Sequence, residues 1–146
     1  MIDQTIAFVK QAVAPAYQSA LRSGIRESTA AGYVASGDAA QAAAIYAALA
    51  TERPNDVQVR LAYGEALLAD SQFAVACAEF DKLRGKGLGP RDLGLPAARA
   101  CAQKGDAASA IAWIESIPAR FRPDLSADPA FATLRDRAEF RALFPR

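Results

Sequence analysis

The residues that could do chemistry in this 146-residue chain are few, and histidine is missing altogether. Neither a Ser-His-Asp nor a Cys-His catalytic arrangement is therefore possible, nor is a histidine metal site. The densest glycine run, GKGLGP at residues 85–90, lacks the preceding strand and the G-x-x-x-x-G-K-[ST] spacing of a phosphate loop. The carboxylates fall mostly at expected helix starts, where the helix dipole explains them. We predict a protein that is not an enzyme and binds no cofactor or metal.

The remaining reactive or recognition-prone side chains are two cysteines and one tryptophan. Cys77 and Cys101 form no CxxC motif, and two cysteines do not make a disulfide framework in a domain of this size. We expect both to be reduced, small, buried packing residues. Trp113 lies off the apolar face of its helix, so it either packs on the C-terminal segment or stands exposed as an anchor for a partner. Packing is favoured.

Charge and composition narrow the classes further. The 17 Lys and Arg balance 16 Asp and Glu, so the chain has no electrostatic footprint for nucleic acid. Asp3 and Lys10 interrupt the apolar N-terminal stretch, which is a weak signal peptide and too short for a membrane span. A cytoplasmic location with no membrane partner is the expectation. Alanine supplies 36 of the residues, which favours an all-helical fold.

Helical units that would position these residues recur at a step of 34 residues. Gly37-Asp38 and Gly105-Asp106 are 68 residues apart, and Ser71-Gln72 stands at the midpoint. Small or apolar residues hold the same step in several columns, which is the mark of a repeat architecture. These columns are Ala30, Gly64 and Ala98; Tyr33, Leu67 and Cys101; Ala42, Ala76 and Ala110; Tyr46, Phe80 and Ile114; and Leu49, Leu83 and Ile117.

Each unit is predicted to be a pair of short helices. The first pair spans residues 25–36 and 38–52, and the second spans 57–70 and 72–83. Asp38 with Gln41 and Asn55 with Gln58 have the spacing of N-terminal capping pairs. In the third unit we expect the first helix to begin near Pro96 and Asp106 to cap the second.

The middle unit resembles a tetratricopeptide repeat. Its Arg60, Tyr63, Gly64 and Leu67 occupy the places of the family pattern W-x2-L-G-x2-Y, and Ala76 with Phe80 fits the later A-x3-F element. No unit begins with the family's tryptophan, and the third matches only by residue size. The resemblance implies an all-α fold, a right-handed superhelical solenoid. Its repeats would be residues 23–56, 57–90 and 91–124, with an N-terminal helix at 1–22 and a C-terminal cap at 125–146.

Both flanks have the pattern of elements that cover the ends of such a stack. At the N-terminus an apolar stripe predicts a helix, kinked at Pro15, that covers the first repeat near Tyr33 and Tyr46. At the other end Asp128-Pro129 is a helix start, and Asp136 with Glu139 is a second capping pair. The apolar residues are Ile2, Ile6, Val9, Val13, Tyr17 and Leu21 in the first flank, and Phe131, Leu134, Phe140, Leu143 and Phe144 in the second.

In the resembling family the first helices of the units line a concave groove that binds peptides or helices. Lysine, arginine and asparagine clamp a ligand carboxylate in its best-known subclass, and those places hold Glu27, Ala31, Ala62, Asp92 and Pro96 here, so that chemistry is absent. The groove residues implied by the resemblance are Glu27, Ser28, Ala31, Leu61, Ala62, Glu65, Leu68, Arg99, Ala102 and Gln103.

Several functions follow as alternatives. The first is a protein–protein interaction module, an adaptor or chaperone-like binder of a protein or peptide partner. We expect its ligand to be an apolar segment, basic near the first two repeats because of Glu27 and Glu65, and acidic near the third because of Arg99. The second is self-association as a homodimer through the N-terminal helix or the repeat ends. Type III secretion chaperones are similar in plan. A groove that binds nothing and an enzyme of unknown type remain open.

Overall fold

The described part of the chain is built from helices. A computed structural model describes residue 19 and residues 21–145, and within these no strand occurs. Two 3-10 helices, Ala119–Phe121 and Pro129–Leu134, separate α6 from α7. The all-α prediction is confirmed. The α-helices are α1 at residues 21–35, α2 Ala39–Glu52, α3 Val57–Ala69, α4 Phe73–Asp81, α5 Pro90–Lys104, α6 Ala107–Glu115 and α7 Ala138–Ala142.

Aspartates start three of these helices. The Asp38 carboxylate accepts a hydrogen bond from the Gln41 amide at 3.3 Å, and Asp106 accepts one from Ser109 at 3.1 Å. Each bond satisfies an amide that has no partner within the helix. The third cap is Asp56, which accepts from the Val59 amide at 3.2 Å. The prediction that Asn55 caps α3 was wrong by one residue, because Asp56 lies three residues before the Val59 amide that donates to it.

The turn inside each helix pair is the same at all three places. Gly37, Ser71 and Gly105 adopt positive φ of 86°, 59° and 97°. Each donates its amide three residues back, and the next residue donates five residues back, as in a Schellman motif. These five-residue bonds end on Tyr33, Leu67 and Cys101, at 2.8, 2.9 and 2.9 Å. The 34-residue step is therefore a step of backbone structure as well as of side-chain type.

The repeating apolar columns form the core. All of their members are buried except Tyr33, which is half-buried against the others. Gly64 shows why one column is kept small, since a Cβ there would lie 2.6 Å from the Phe80 ring. The two helices of the middle pair are thus in close contact through a glycine and an aromatic ring.

Successive helices pack on one another from α2 to α6, and α3 also contacts α5. A disulfide joins Cys77 of α4 to Cys101 of α5, with their Cα atoms 5.0 Å apart. The expectation of reduced cysteines was wrong, although both side chains are buried as predicted. The reason is tertiary: adjacent packing of α4 and α5 brings two cysteines, distant in sequence, within bonding range.

Helix α5 begins earlier than predicted. Gly89 is its N-cap and Pro90 occupies the first turn, so Pro96 lies inside the helix rather than at its start. A proline there removes one backbone hydrogen bond and is unfavourable in isolation. Packing on both sides, by α4 and α6, stabilises the helix through this position.

The C-terminal segment packs on α5 through the 3-10 helix Pro129–Leu134. Asp128 caps that helix and accepts from the Ala130 amide at 2.9 Å, so the predicted start is confirmed, with 3-10 rather than α geometry. The N-cap of α7 is Arg137, without a side-chain bond, so the predicted Asp136 and Glu139 capping pair was wrong. Phe131, Leu134 and Phe140 are buried as expected.

Trp113 is buried, so packing rather than exposure is correct, while its predicted contact with the C-terminal segment stays a prediction. The guanidinium group of Arg84 lies 3.6 Å from the centre of the Trp113 ring. Arg84 belongs to the chain segment between α4 and α5. Most of the N-terminal helix predicted at 1–22, including Ile2, Ile6 and Val9, lies outside the described residues. Of its last residues, 19, 21 and 22 are helical, and Leu21 is 49% exposed. Within the part that the structure describes, no helix has both the length and the apolar character needed to cross a membrane.

Candidate functional site

We use the name first-helix face for the surface of α1, α3 and α5 that carries the ten predicted groove residues. On α3 its members step by three and four residues, so Leu61, Glu65 and Leu68 share one side of the helix. The two leucines and Ala62 are half-buried against the core, while Glu65 reaches solvent. On α1, Ser28 and Ala31 are exposed. The accessible part of the face thus combines small and apolar side chains.

Glu27 on α1 already has a cationic partner. Arg53, which follows α2, donates one guanidinium nitrogen to Glu27 at 2.5 Å and another to Asp56 at 3.2 Å. Arg53 therefore links the first helix to the cap of α3. Glu27 is therefore paired, although Arg53 is shared between its carboxylate and that of Asp56, and the expectation that Glu27 attracts a basic residue of a ligand stays a prediction.

Glu65 differs from Glu27 in having no cation at ion-pair distance among the residues that the structure describes. Surrounding protein atoms withdraw water from its carboxylate, and the charge of Asp92 at the start of α5 adds repulsion. Both effects raise the pKa of Glu65 above its usual value. Burial, followed by the carboxylates of Glu27 and Glu65, likewise raises the pKa of the Tyr46 phenol. Carboxylates from α1, α3 and α5 therefore act on one small region.

The C-terminal segment engages the α5 portion of the face, but Gln103 remains exposed. Arg99 donates to Asp128 of the C-terminal segment from two nitrogens, at 3.1 and 3.2 Å. Ala102 is buried, and the Gln103 side chain donates to the Arg99 carbonyl at 3.3 Å. Arg99 is thus paired within the chain while its side chain stays 40% exposed, and the preference for an acidic ligand at the third unit stays a prediction.

Sequence reasoning missed the side chains that balance the charged members of this face. Arg53 and Asp128 lie 26 and 29 residues from the groups that they bind. No capping or repeat pattern at either position predicts its ion-pair partner, although the sequence around Asp128 predicts a helix start. What remains accessible is a carboxylate without a cation, flanked by leucines and small residues. Such a surface can bind an apolar segment that brings a positive charge to Glu65.

Comparison of the chain with protein-family models, with curated proteins and with solved structures finds no match.

Proposed function

We propose that this chain is a protein–protein interaction module, an adaptor or chaperone-like binder without catalytic activity, that takes an apolar peptide or helix on its first-helix face. The observation that supports it is Glu65. Its side chain is exposed between the half-buried Leu61 and Leu68 and has no cation beside it among the described residues, whereas Glu27 and Arg99 on the same face are paired; its raised pKa agrees with a charge that lacks a partner. A basic residue of the partner would relieve this unfavourable state.

The proposal includes membership of the tetratricopeptide family, with repeats at 23–56, 57–90 and 91–124. The support is the 34-residue step shared by three Schellman turns and five buried columns. In such a stack the first helices of neighbouring units lie side by side, and the contact of α3 with α5 agrees with that arrangement.

The partner is a segment with one Lys or Arg between apolar residues. The cation would approach Glu65, and the apolar residues would contact Leu61 and Leu68 on either side of it. Affinity is expected to be modest, because the few accessible side chains of α1 and α3 on this face bury a small area. The acidic end of the ligand that Arg99 suggests stays a prediction.

Selection from a displayed library of random twelve-residue peptides tests this function. Wild-type protein should enrich sequences with a central Lys or Arg flanked by apolar residues. Glu65→Lys should weaken binding of the selected peptides roughly tenfold or more, because a like charge replaces an attractive one. Leu61→Asp should weaken them as well.

Glu115→Lys is the matched control, since it makes the same change at an exposed carboxylate on α6. Peptides that bind Glu65→Lys, Leu61→Asp and Glu115→Lys equally well would place the binding site elsewhere and refute the proposal. Thermal melting of each variant distinguishes a lost contact from a lost fold.

Self-association is the second candidate, and exposed apolar side chains on α1 favour it. Leu21 and Ile25 are 49% and 57% exposed and lie one helical turn apart. Light scattering at two protein concentrations separates a homodimer from a monomer that binds peptides. The cytoplasmic location remains a prediction, and the Cys77–Cys101 bond weighs against it, because disulfides persist mainly in oxidising compartments.

A further inference from the structure

A cavity of about 740 Å³ lies in the C-terminal segment, formed by residues that take no part in the first-helix face. Its walls come from the turn after α6, from the chain before the second 3-10 helix, and from α7 with the residues that follow it. The volume is within the range of pockets that hold small organic molecules. The lining residues used below are Arg122, Asp124, Arg135, Phe140, Arg141 and Phe144.

Part of the lining of this cavity is apolar and held in place by aromatic packing. Phe140 is buried, stacks on Phe131 at 5.8 Å between ring centres, and meets Phe144 edge-on at 5.2 Å. Leu143 and Phe144 are half-buried beside it. Phe144 can therefore offer apolar surface to a ligand while its position is fixed by Phe140.

Other lining residues are basic. Arg122 donates to the Ile117 carbonyl at 2.9 Å, and Arg135 donates to the Ala127 carbonyl at 3.2 Å. Backbone carbonyls thus orient two guanidinium groups without cancelling their charge, and Arg141 adds a third on exposed α7. None of the ion pairs within the described part of the chain involves these three arginines. The Nε atom of Arg122 is enclosed and has no hydrogen-bond partner there.

Asp124 is the carboxylate of the cavity wall, and it is engaged. Its Oδ1 accepts from the Ser126 amide at 2.9 Å and from the Ser126 hydroxyl at 2.6 Å. One carboxylate against three guanidinium groups leaves the lining with an excess of positive charge. Guanidinium groups are suited to bidentate binding of a planar carboxylate.

We propose that this cavity binds a small amphipathic monocarboxylate, with its carboxylate at Arg135 and Arg141 and its apolar body against Phe144 and Leu143. The lining of the cavity contains both groups that such a ligand requires, the guanidinium groups of Arg135 and Arg141 and the aromatic ring of Phe144. A neutral molecule of the same shape would not pair with the guanidinium charges. An anion without an apolar body would leave Phe144 and Leu143 in contact with water.

Calorimetric titration of the full chain with sodium decanoate tests this site, with 1-decanol as the uncharged analogue. Decanoate should bind in a one-to-one ratio and decanol should not bind measurably. Arg135→Gln and Arg141→Gln should each weaken decanoate binding about tenfold. Arg120→Gln is the matched control, because Arg120 lies in the same segment, packs on Phe121 and does not line the cavity.

Three results would overturn the proposal: no heat of binding with decanoate, equal affinity for decanol, or equal affinity of all three arginine variants. A decanoate-dependent rise in melting temperature is the second measurement, expected for wild type and Arg120→Gln and smaller in Arg141→Gln, whose side chain is exposed and not needed for folding. Glu65→Lys should bind decanoate normally, so failure of this site and failure of the peptide-binding proposal are distinguishable.

Discussion

Glu65 is the residue on which the chemistry of the first-helix face depends. Its folded-state pKa is raised by burial and by Asp92, so the folded protein holds a proton on this carboxyl more readily than the unfolded chain does. Any stability that this group contributes is complete below the ordinary pKa of 4.5, and it is lost as pH rises through the raised value. The ionised carboxylate at neutral pH is therefore mildly destabilising.

We expect Glu65→Gln to stabilise the fold at neutral pH and to leave it nearly unchanged in acid, because glutamine resembles the protonated acid. Urea unfolding of variant and wild type at several pH values measures this difference. Glu115→Gln, at an exposed site on α6, is the control. The same pH dependence for both substitutions would contradict the argument from Glu65's surroundings.

Whether the contact of a single residue can be predicted from sequence depends on how far away its partner lies along the chain. The capping roles of Asp38 and Asp106 could be predicted, because a cap and its amide are three residues apart. The pairing of Arg99 with Asp128 could not, because it joins two segments whose relative position is set by helix packing. This ion pair was missed for that reason.

At the scale of the element, the turns between paired helices differ in one place. Ser71 has φ of 59° where the equivalent positions hold glycine, and it is the only non-glycine residue with positive φ among those described. This backbone region is unfavourable for a residue with a Cβ. The α3–α4 turn therefore carries a strain that the other two turns avoid.

Replacing Ser71 by glycine should stabilise the protein by about 0.5–1 kcal/mol, since relief of the strain exceeds the extra entropy of glycine in the unfolded chain. The reverse change, Gly37→Ser, should destabilise it by a similar amount, because a Cβ at Gly37 meets no atom within 4 Å and only the backbone strain remains. Chemical denaturation gives both values. Destabilisation by Ser71→Gly would show that the serine has a role in this turn.

Element boundaries were predicted well where local signals decide them. The 34-residue step and the caps located the first two helix pairs within a few residues. The predicted start of α5 was wrong because proline favours a helix boundary, whereas packing by α4 and α6 keeps the chain helical at Pro96. The sequence contains the preference of proline but not the packing that overrides it.

At the scale of the whole molecule, the Cys77–Cys101 bond connects the second helix pair to the third. It closes a loop with a sequence separation of 24 residues, which includes the glycine-rich link. By the loop-entropy argument such a bond stabilises the fold by about 3–4 kcal/mol. Reduction should lower the free energy of unfolding of the wild type by this amount, which appears as a lower midpoint in urea.

The double variant Cys77→Ala/Cys101→Ala should have a low midpoint that reductant does not change. Thiol titration of the unfolded, unreduced wild type should find no free thiol. Two free thiols, or a midpoint indifferent to reductant, would mean that the cysteines pack without bonding.

The same bond also decides how the chain responds to a pulling force applied at its two ends. Residues 78–100 lie between the bonded cysteines, so tension passes through the sulfur atoms and bypasses the link and the start of α5. When fully extended, the disulfide-bonded chain would be shorter from end to end than the reduced chain by roughly 80 Å, the length of the 24 sequence steps that the bond bridges. Under load the first and second helix pairs would separate while the second and third remained tethered, so the molecule has a mechanically weak end and a strong one.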